Sequence, residues 1–510
     1  MKRFLPFVFL FIFVIFASVL FAQEIKLDVK EHTLKNGMKI LILENHRAPI
    51  FSTYIYYKVG SASEVPGIIG AAHLLEHLLF KGTKTIGTKD YSKEKTWMDK
   101  EDSLANLMTF EKRKQRFLDL EKRLGKSAED DSSRIGELTA EFEKAEEQAK
   151  AFIVPNEMEK IYTENGAAGF NAITGYDQTS YFVSFPSNRL ELFFALEADR
   201  IQNAVFREFY SERDVVLEER RLSVDNEPSS KLFEQLIATS FVAHPYQVYW
   251  EWKSEIANLT RKEIEDFYGK YYAPNRMVLG IVGDVNPDDV IKLAEEYFAP
   301  ILSQPEPEPI VTVEPEQLGE KKVEVEFDAN PEVYIAYHKT AFDDSDEVVF
   351  KVLDQLLSRG MSSRLYKNLV DGKKIALSVQ TSEFPGSFLG ALYPDLFVFD
   401  GVPKTPYTVQ ELEQGIYEEI EKLKTQPVDV KELQKIKNNL ESDFIWQFYS
   451  NSGMAEQLAN LQGLCGDWRY LDYIRKRIQQ IQPEDIMRVA KKYFTEENRT
   501  AAILKKKEKG

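Results

Sequence analysis

The sequence predicts an α+β protein with two homologous domains, each a mostly antiparallel sheet packed with helices. Three observations lead to this fold class: strand-like and helix-like segments alternate, a proline-rich stretch divides the chain, and both halves end on similar segments. With 510 residues, of which 43% are hydrophobic, the chain can bury a sizeable core in each half. A helical hairpin inserted into the first domain completes the prediction.

The first strands are predicted soon after residue 22. Two alternating patterns flank the turn-forming pair Asn36-Gly37, and the stretch that follows them, FSTYIYYKVG, is rich in β-branched and aromatic residues. Such patterns are typical of strands bounded by tight turns. We therefore expect the first domain to open with β structure.

A linker is predicted at residues 303–319, where prolines occupy positions 305, 307, 309 and 315. Such a composition favours an extended, semi-rigid conformation. It separates a first domain at 23–302 from a second at 320–510. Near the ends of these domains lie EIEDFYGKYYAPNRMVLGIV, from Glu263, and DIMRVAKKYFTEENRTAAIL, from Asp485, each a helix pattern running into an apolar strand. Their similarity indicates an internal duplication.

The hairpin is predicted from about residue 93 to residue 153, a highly charged and helix-forming stretch. Its second helix has the alternating three- and four-residue spacing of a coiled-coil seam, at Ile135, Leu138, Phe142, Ala145, Ala149 and Phe152. Its first helix has a partial seam at Leu107, Phe110, Phe117 and Leu124, and GKSAEDDSS between the two is turn-like. The charged faces suit solvent, although a protruding hairpin can also dock a partner or gate access.

Residues 1–22 are predicted to be a signal peptide. Two positive charges precede an apolar run that ends at Ala22, a small residue suited to cleavage. We expect an exported protein, periplasmic or extracellular. The apolar run is nearly long enough to span a bilayer, so an uncleaved membrane anchor is the alternative.

The charge balance disfavours whole classes of partner. Lys and Arg number 65 against 82 Asp and Glu, and a net charge of −17 argues against binding nucleic acid or anionic membranes. The single cysteine, Cys465, has no partner for an internal disulfide, and we interpret it as a small buried hydrophobe.

The clearest chemical signal is GAAHLLEHLLF, residues 70–80. Positions four apart lie on one face of a helix, so His73 and His77 can bind one metal ion, with Glu76 beside them. Burying these side chains among leucines is costly unless something pairs with them, and one Zn²⁺ ion per chain would do so. The alternative is a pair of hydrogen-bonded core histidines.

With this motif the sequence resembles the inverzincins, the family of pitrilysin, insulin-degrading enzyme and the mitochondrial processing peptidase, over nearly the whole mature chain. In SERDVVLEERRLSVDNEP, the pair Glu212 and Glu219 resembles the family's second signature. The resemblance implies that Glu219 is the third zinc ligand, that Glu212 orients ligands or substrate, and that Glu76 is the catalytic base. Glu218 is a rival ligand, but only Glu219 follows Glu212 by seven residues.

The stretch GFNAITGYDQTSYF, residues 169–182, resembles an edge strand of the family that pairs with extended substrate. By this resemblance Asn171 and Ala172 bind the substrate backbone through β-augmentation. Thr179 and Tyr181 are interpreted as supports of the strand.

The resemblance breaks in the second domain. Active members of the family carry an arginine and, seven residues later, a tyrosine that grip the substrate, but these positions fall here on Val370 and Leu377. Neither side chain can donate a hydrogen bond. Arg364 and Tyr366 lie nearby with the wrong spacing and are interpreted as helix surface. The resemblance therefore implies a heterodimer, in which a homologous partner without zinc supplies the pair.

We accordingly expect a zinc-dependent endopeptidase subunit that hydrolyses peptides or unfolded segments. Enclosure of the site between two homologous chains would restrict the substrates to peptides and unfolded segments. The alternative is a non-catalytic scaffold or binding protein that keeps the peptidase fold. Retention of a candidate base at Glu76, which a scaffold does not need, favours the enzyme.

Overall fold

The structure is a computed structural model that describes residues 27–124, 132–386 and 389–507. The expected signal peptide, residues 1–22, lies outside these ranges, as does most of the expected turn at 125–133.

The described residues form eleven strands and sixteen α-helices. The strands are β1 (Lys30–Thr33), β2 (Lys39–Glu44), β3 (Ile50–Tyr57), β4 (Ala168–Thr174), β5 (Thr179–Pro186), β6 (Met277–Gly283), β7 (Lys321–Phe327), β8 (Glu332–His338), β9 (Ala376–Phe384), β10 (Leu396–Pro403) and β11 (Arg499–Lys506).

The helices of the first half are α1 (Ala71–Leu78), α2 (Tyr91–Arg123), α3 (Ser132–Lys150), α4 (Glu157–Glu164), α5 (Leu190–Asn203), α6 (Phe209–Arg220), α7 (Pro228–Ser240), α8 (Lys253–Ile256), α9 (Arg261–Tyr271) and α10 (Pro287–Tyr297). Those of the second half are α11 (Glu347–Ser358), α12 (Val409–Thr425), α13 (Val430–Gln447), α14 (Asn451–Cys465), α15 (Tyr470–Gln480) and α16 (Pro483–Tyr493). Two π-helical turns, Arg221–Asp225 and Tyr366–Gly372, complete the longer elements.

The strands form two mixed sheets that are mostly antiparallel. The first has the order β1-β2-β6-β3-β5-β4 and the second the order β7-β11-β8-β10-β9. Among these eleven strands, the pairs β2–β6 and β7–β11 are parallel and the other neighbouring pairs are antiparallel. Helices pack on both sheets, so the α+β fold class is confirmed.

The two sheets repeat one topology. Without β1, the first sheet matches the second strand for strand, including the position of the parallel pair. The two similar segments of the sequence take equivalent places, since α9 leads into β6 and α16 leads into β11. An internal duplication accounts for both matches. The exact domain boundaries at 23–302, 303–319 and 320–510 stay predictions.

The predicted β-structure at the start of the chain forms as expected. The strands β1 and β2 are antiparallel, with Thr33 opposite Lys39, and Gly37 between them has a φ of 91°. The buried Asn36 side chain donates to the carbonyls of Phe298 and Ile301 at 2.8 and 2.9 Å, which ties the turn to the end of α10.

The helices α2 and α3 pack side by side and leave the first half at one point. Thr88 and Ile153 pair there in an antiparallel bridge. The shared apolar contact between the helices includes Leu104, Leu138 and Ala145.

The expected seam on the first hairpin helix is wrong. Leu107, Phe110, Phe117 and Leu124 are exposed, by 47, 62, 70 and 66%. The buried contact runs instead through Leu104, with Trp97 and Met108 partly buried beside it. A seven-residue spacing identifies an apolar face of a helix, but it does not determine which face meets a neighbour.

Each half contributes a helix to the sheet of the other. The helix α7 packs on β7, β8 and β11, and α14 packs on β3 and β6. Close approach on the α14 side depends on glycine, because a Cβ at Gly280 would lie 2.5 Å from the carbonyl oxygen of Ala455. The segment 303–319 has no helix or strand, and Glu314 anchors it by accepting the backbone N–H groups of residues 242–244.

Two glycine-to-alanine substitutions in helices are expected to act in opposite directions. A methyl group at Gly463, in α14, would lie 2.4 Å from the buried Tyr56 ring, so G463A should lower the free energy of unfolding by about 1–3 kcal/mol. At Gly136, in α3, nothing lies within 4 Å, so G136A should raise it by about 0.5–1 kcal/mol. Thermal melting of both variants tests this, and stabilisation by G463A would contradict the packing described.

Candidate functional site

Helix α1 presents its polar side chains on one side because the other side is buried. Leu74, Leu75 and Leu78 are fully buried, whereas His73, Glu76 and His77 are only partly buried. The helix begins after Gly70, whose φ of 102° is readily adopted only by glycine.

The start of α1 is held by Glu64. Its two carboxylate oxygens accept the N–H groups of Gly70 and Ala72 at 2.9 and 2.7 Å, and its side chain is buried. These N–H groups lack partners within the helix, so the carboxylate does the work of a capping side chain. Burial raises the pKa of Glu64 to about 8, because its effect is larger than that of the two hydrogen bonds, which lower the pKa.

Three candidate ligands from two helices meet in one place. The Nε2 atoms of His73 and His77 each lie 3.6 Å from Oε2 of Glu219, and the three donor atoms lie within 4.8 Å of one another. Donor atoms about 2.0–2.2 Å from a tetrahedral zinc ion lie about 3.4 Å apart, so the spacing fits such an ion. Two imidazoles and one carboxylate are also the donor types of catalytic zinc sites.

Each histidine faces a second carboxylate with its other nitrogen. Nδ1 of His77 lies 3.4 Å from Glu212, and Nδ1 of His73 lies 2.9 Å from Glu251. Carboxylates in these positions fix a ring and leave Nε2 free to bind a metal. Lys81 in turn contacts Glu212 at 2.6 Å.

The carboxylates make the site favourable for a cation. Burial lowers the pKa of His73, but contact with Glu251 and the charges of Glu76 and Glu219 outweigh burial and raise it to about 9. Burial also acts to raise the pKa of Glu212, yet His77 and Lys81 hold it below its usual value. The raised pKa of His73 indicates a group of negative charges that favours a cation at this position, and the lowered pKa of Glu212 keeps that carboxylate ionised.

Glu76 is oriented by a residue of the edge strand. The Thr174 hydroxyl donates to Glu76 Oε2 at 2.5 Å. The carboxylate lines a cleft of about 550 Å³ together with His77, Glu212 and Asn171. A second cleft, of about 240 Å³, is lined by His73, Thr174 and the aromatic side chains of Tyr176, Tyr249 and Trp250.

Asn171 and Ala172 lie on β4, one of the two edge strands of the first sheet. Within the described ranges, no strand pairs with the outer side of β4. Asn171 is exposed, and its Oδ1 accepts the N–H of Ala172 at 2.9 Å. Asn171 lines the larger cleft and Thr174 lines the smaller one. The strand β4 therefore runs past the candidate ligands from one cleft to the other. Thr179 and Tyr181, on β5, are buried behind it.

The rival ligand Glu218 points elsewhere. Its carboxylate accepts from the exposed Arg221 guanidinium, at 2.6 and 2.7 Å. His244 is also outside the ligand cluster, and it accepts the N–H of Tyr246 within the core, where burial lowers its pKa to about 4.

The positions aligned with the family's arginine and tyrosine carry no donor. Val370 is half-buried in a π-helical turn, and Leu377 is 58% exposed on β9. Arg364 pairs with Glu432 of α13 at 2.7 Å. Cys465 is partly buried, and burial raises its pKa to about 12.

Sequence reasoning missed three carboxylate or hydroxyl residues of the site: Glu64, Thr174 and Glu251. No spacing relates Glu64 or Glu251 to the histidines, so no sequence signal identified them. Thr174 is three residues beyond Asn171 in the predicted edge strand, and that proximity was its only signal.

The chain matches two models of one peptidase family. Residues 39–98 and 152–248 match the family model described as insulinase (peptidase family M16), and residues 258–440 match the one described as peptidase M16 inactive domain. These matches take in about two thirds of the chain, which belongs to the M16 peptidase family. The gap in the first match falls on the α2–α3 hairpin.

Individual relatives match over most of their length. A zinc protease of Helicobacter pylori, PqqE, is 29% identical over 491 residues, covering 93% of this chain and 92% of that protein. An Arabidopsis thaliana protein named "Probable mitochondrial-processing peptidase subunit beta, mitochondrial" is 22% identical over 481 residues, covering 92% and 76%. The crystal structure of a protease from Helicobacter pylori superimposes with a TM-score of 0.75 and 28% identity, covering 94% and 100%.

Within the described part of the chain, none of the helices combines the length and hydrophobicity needed to cross a membrane.

Replacing Glu64 is expected to loosen the start of α1. In E64A two backbone N–H groups lose their acceptor, so the free energy of unfolding should fall by about 1–3 kcal/mol and the Gly70 and Ala72 amides should exchange faster. Hydrogen exchange with mass spectrometry measures this. E218A, which removes an exposed carboxylate, should change stability by less than about 0.5 kcal/mol. Unchanged exchange in E64A would refute the capping role.

Proposed function

We propose that this chain is a zinc-dependent endopeptidase subunit that hydrolyses peptides or unfolded segments. The observation that carries the proposal is the convergence of His73, His77 and Glu219 on one point, with Glu76 on the same helix face. Membership of a peptidase family and a relative named zinc protease support it.

His73, His77 and Glu219 would hold the metal through two imidazole nitrogens and one carboxylate oxygen. When bound, zinc polarises the scissile carbonyl and lowers the pKa of water. Glu76 accepts the proton of the attacking water and returns it to the leaving amine. Thr174 holds one oxygen of Glu76, which leaves the other free for proton transfer. Glu212 orients His77 and is itself held by Lys81.

Extended peptides suit this site because none of the described strands pairs with the outer side of β4. A substrate strand added at Asn171 and Ala172 forms backbone hydrogen bonds and crosses the two clefts beside the ligands. A folded protein cannot present its backbone in this way, so the substrates are peptides or unfolded segments.

A homologous partner without zinc completes the enzyme. The apolar side chains of Val370 and Leu377 cannot stabilise a developing oxyanion, which requires hydrogen-bond donors. A relative named as a subunit supports a two-chain assembly. Residues 1–22 would direct export to the periplasm or beyond the cell, or anchor the chain if they are not cleaved.

Glu76→Gln is expected to separate binding from hydrolysis. Glutamine keeps the shape but accepts no proton, so peptide hydrolysis should fall by about 10²–10⁴-fold while one zinc ion per chain is retained. E218Q is the matched control, since Glu218 neighbours Glu219 but faces Arg221, and it should keep full activity. Activity preserved in E76Q refutes the proposed base. A wild-type complex without any hydrolytic activity favours the scaffold.

The partner is expected to be needed for turnover. The chain purified alone should bind zinc but hydrolyse peptides at least about 100-fold more slowly than the complex copurified from its native host, since one missing oxyanion donor costs about 10²–10³-fold. Parallel peptidase assays of both preparations test this. Full activity of the isolated monomer would contradict the two-chain assembly.

A further inference from the structure

The segment from Val248 to Ile256 lies across the start of α1 and brings one more carboxylate to the metal ligands. Glu251 Oε1 lies 2.9 Å from His73 Nδ1, and the Glu251 side chain is only 11% exposed. Glu251 belongs neither to the histidine motif nor to the Glu212–Glu219 pair. We propose that Glu251 is a positioning residue that sets the His73 ring for metal binding, an inference that rests on the proposed zinc site.

The argument begins with the two nitrogens of the imidazole. A neutral histidine carries its proton on either nitrogen, and only the unprotonated one can bind a metal. A carboxylate 2.9 Å from Nδ1 favours the proton on that nitrogen, which leaves the lone pair on Nε2, 3.6 Å from Glu219. Glu212 stands in the same relation to His77, although at 3.4 Å its contact is longer. Each metal-binding histidine therefore has its own carboxylate.

Glu251 is held by the helix that supplies the third ligand. Arg220 follows Glu219 in α6, is buried, and donates from Nη1 to the backbone carbonyl of Glu251 at 2.6 Å. Its Nη2 donates to the buried Glu234 at 2.7 Å. Because Arg220 and Glu219 are neighbours on one rigid helix, the ligand carboxylate and the positioning carboxylate are fixed relative to each other.

The other end of the segment is tied to the loop before α1. Glu255 Oε2 accepts the N–H groups of Gly67 and Ile69, both at 2.8 Å. Gly70 allows close packing, since a Cβ there would lie 3.0 Å from Cγ of Glu251. The Trp250 ring stands edge-on to His73 with the ring centroids 6.0 Å apart. The imidazole is thus confined on the side away from the metal.

The remaining oxygen of Glu251 argues against a purely structural role. Oε2 of Glu251 is buried and has no hydrogen-bond partner within the described ranges, and the same holds for Nδ1 of His73, whose 2.9 Å contact with Oε1 is a close ion pair outside hydrogen-bond geometry. A buried carboxylate oxygen without a partner is unfavourable for folding. A residue that only anchored the segment would be better satisfied, as Glu255 is by two backbone N–H groups.

The test is zinc affinity, measured by chelator competition on the full mature chain. E251Q keeps the side-chain shape but loses the charge, so its zinc Kd should rise about 10–100-fold, with the melting temperature of the metal-free protein unchanged. E255Q alters the same segment without touching His73, and its Kd should stay within about twofold of wild type. Equal Kd values for E251Q and wild type, or equal losses in E251Q and E255Q, would overturn the proposal.

A double-mutant cycle shows whether Glu251 acts through His73. In an H73A background E251Q should cause no further loss of zinc affinity, whereas in an H77A background it should cause the full loss. A full further loss in H73A overturns the positioning role. Failure of the wild-type chain to bind zinc refutes the proposed function itself, which is a different result from tight zinc binding by E251Q.

Discussion

The main constraint on this structure is that two imidazoles and a carboxylate lie partly buried on a helix whose other face is fully buried. Partial burial of such polar groups is unfavourable unless other groups pair with them. Carboxylates from elsewhere in the chain supply these partners. Glu64 accepts backbone N–H groups at the helix start, and Glu212, Glu219 and Glu251 face the histidines. Several negative charges around two histidines leave an anionic centre, which would stabilise a bound cation.

The duplicated fold explains how chemistry and support are divided. Both sheets share one strand order, but among the described residues the cluster of candidate ligands lies in the first half. The equivalent edge strand of the second half, β9, carries the exposed Leu377 near its start, at the position of the family's tyrosine. The second half nevertheless holds the first sheet in place through α14, at a distance that glycines set. The second half can lack hydrogen-bond donors if another chain supplies them, but it cannot lack the packing of α14 on the first sheet.

The α2–α3 hairpin is a separate feature added to this frame. Most of it falls in the gap between the family-matched segments, and it leaves the domain beside the bridge between Thr88 and Ile153. Its base is nevertheless tied to the site, because Arg261 binds the carboxylates of Glu101 and Asp102 in α2, and Asp102 accepts from Tyr210 in α6. Movement of the hairpin would therefore act on the helix that carries Glu219.

The sequence by itself determined what short-range order encodes: the β-structure at Asn36-Gly37, the repeated helix-to-strand segments, the pairing of His73 with His77, and the spacing that favoured Glu219 over Glu218. The first three follow from periodicity, turn chemistry or fixed spacing along one element, whereas the preference for Glu219 rests on the resemblance to the family's second signature. Only the tertiary structure decided that Glu251 faces His73 and that Thr174 faces Glu76. The same is true of Phe110 and Phe117, which lie outside the hairpin seam. Contacts between elements far apart in the chain depend on how those elements pack, and no local pattern records that.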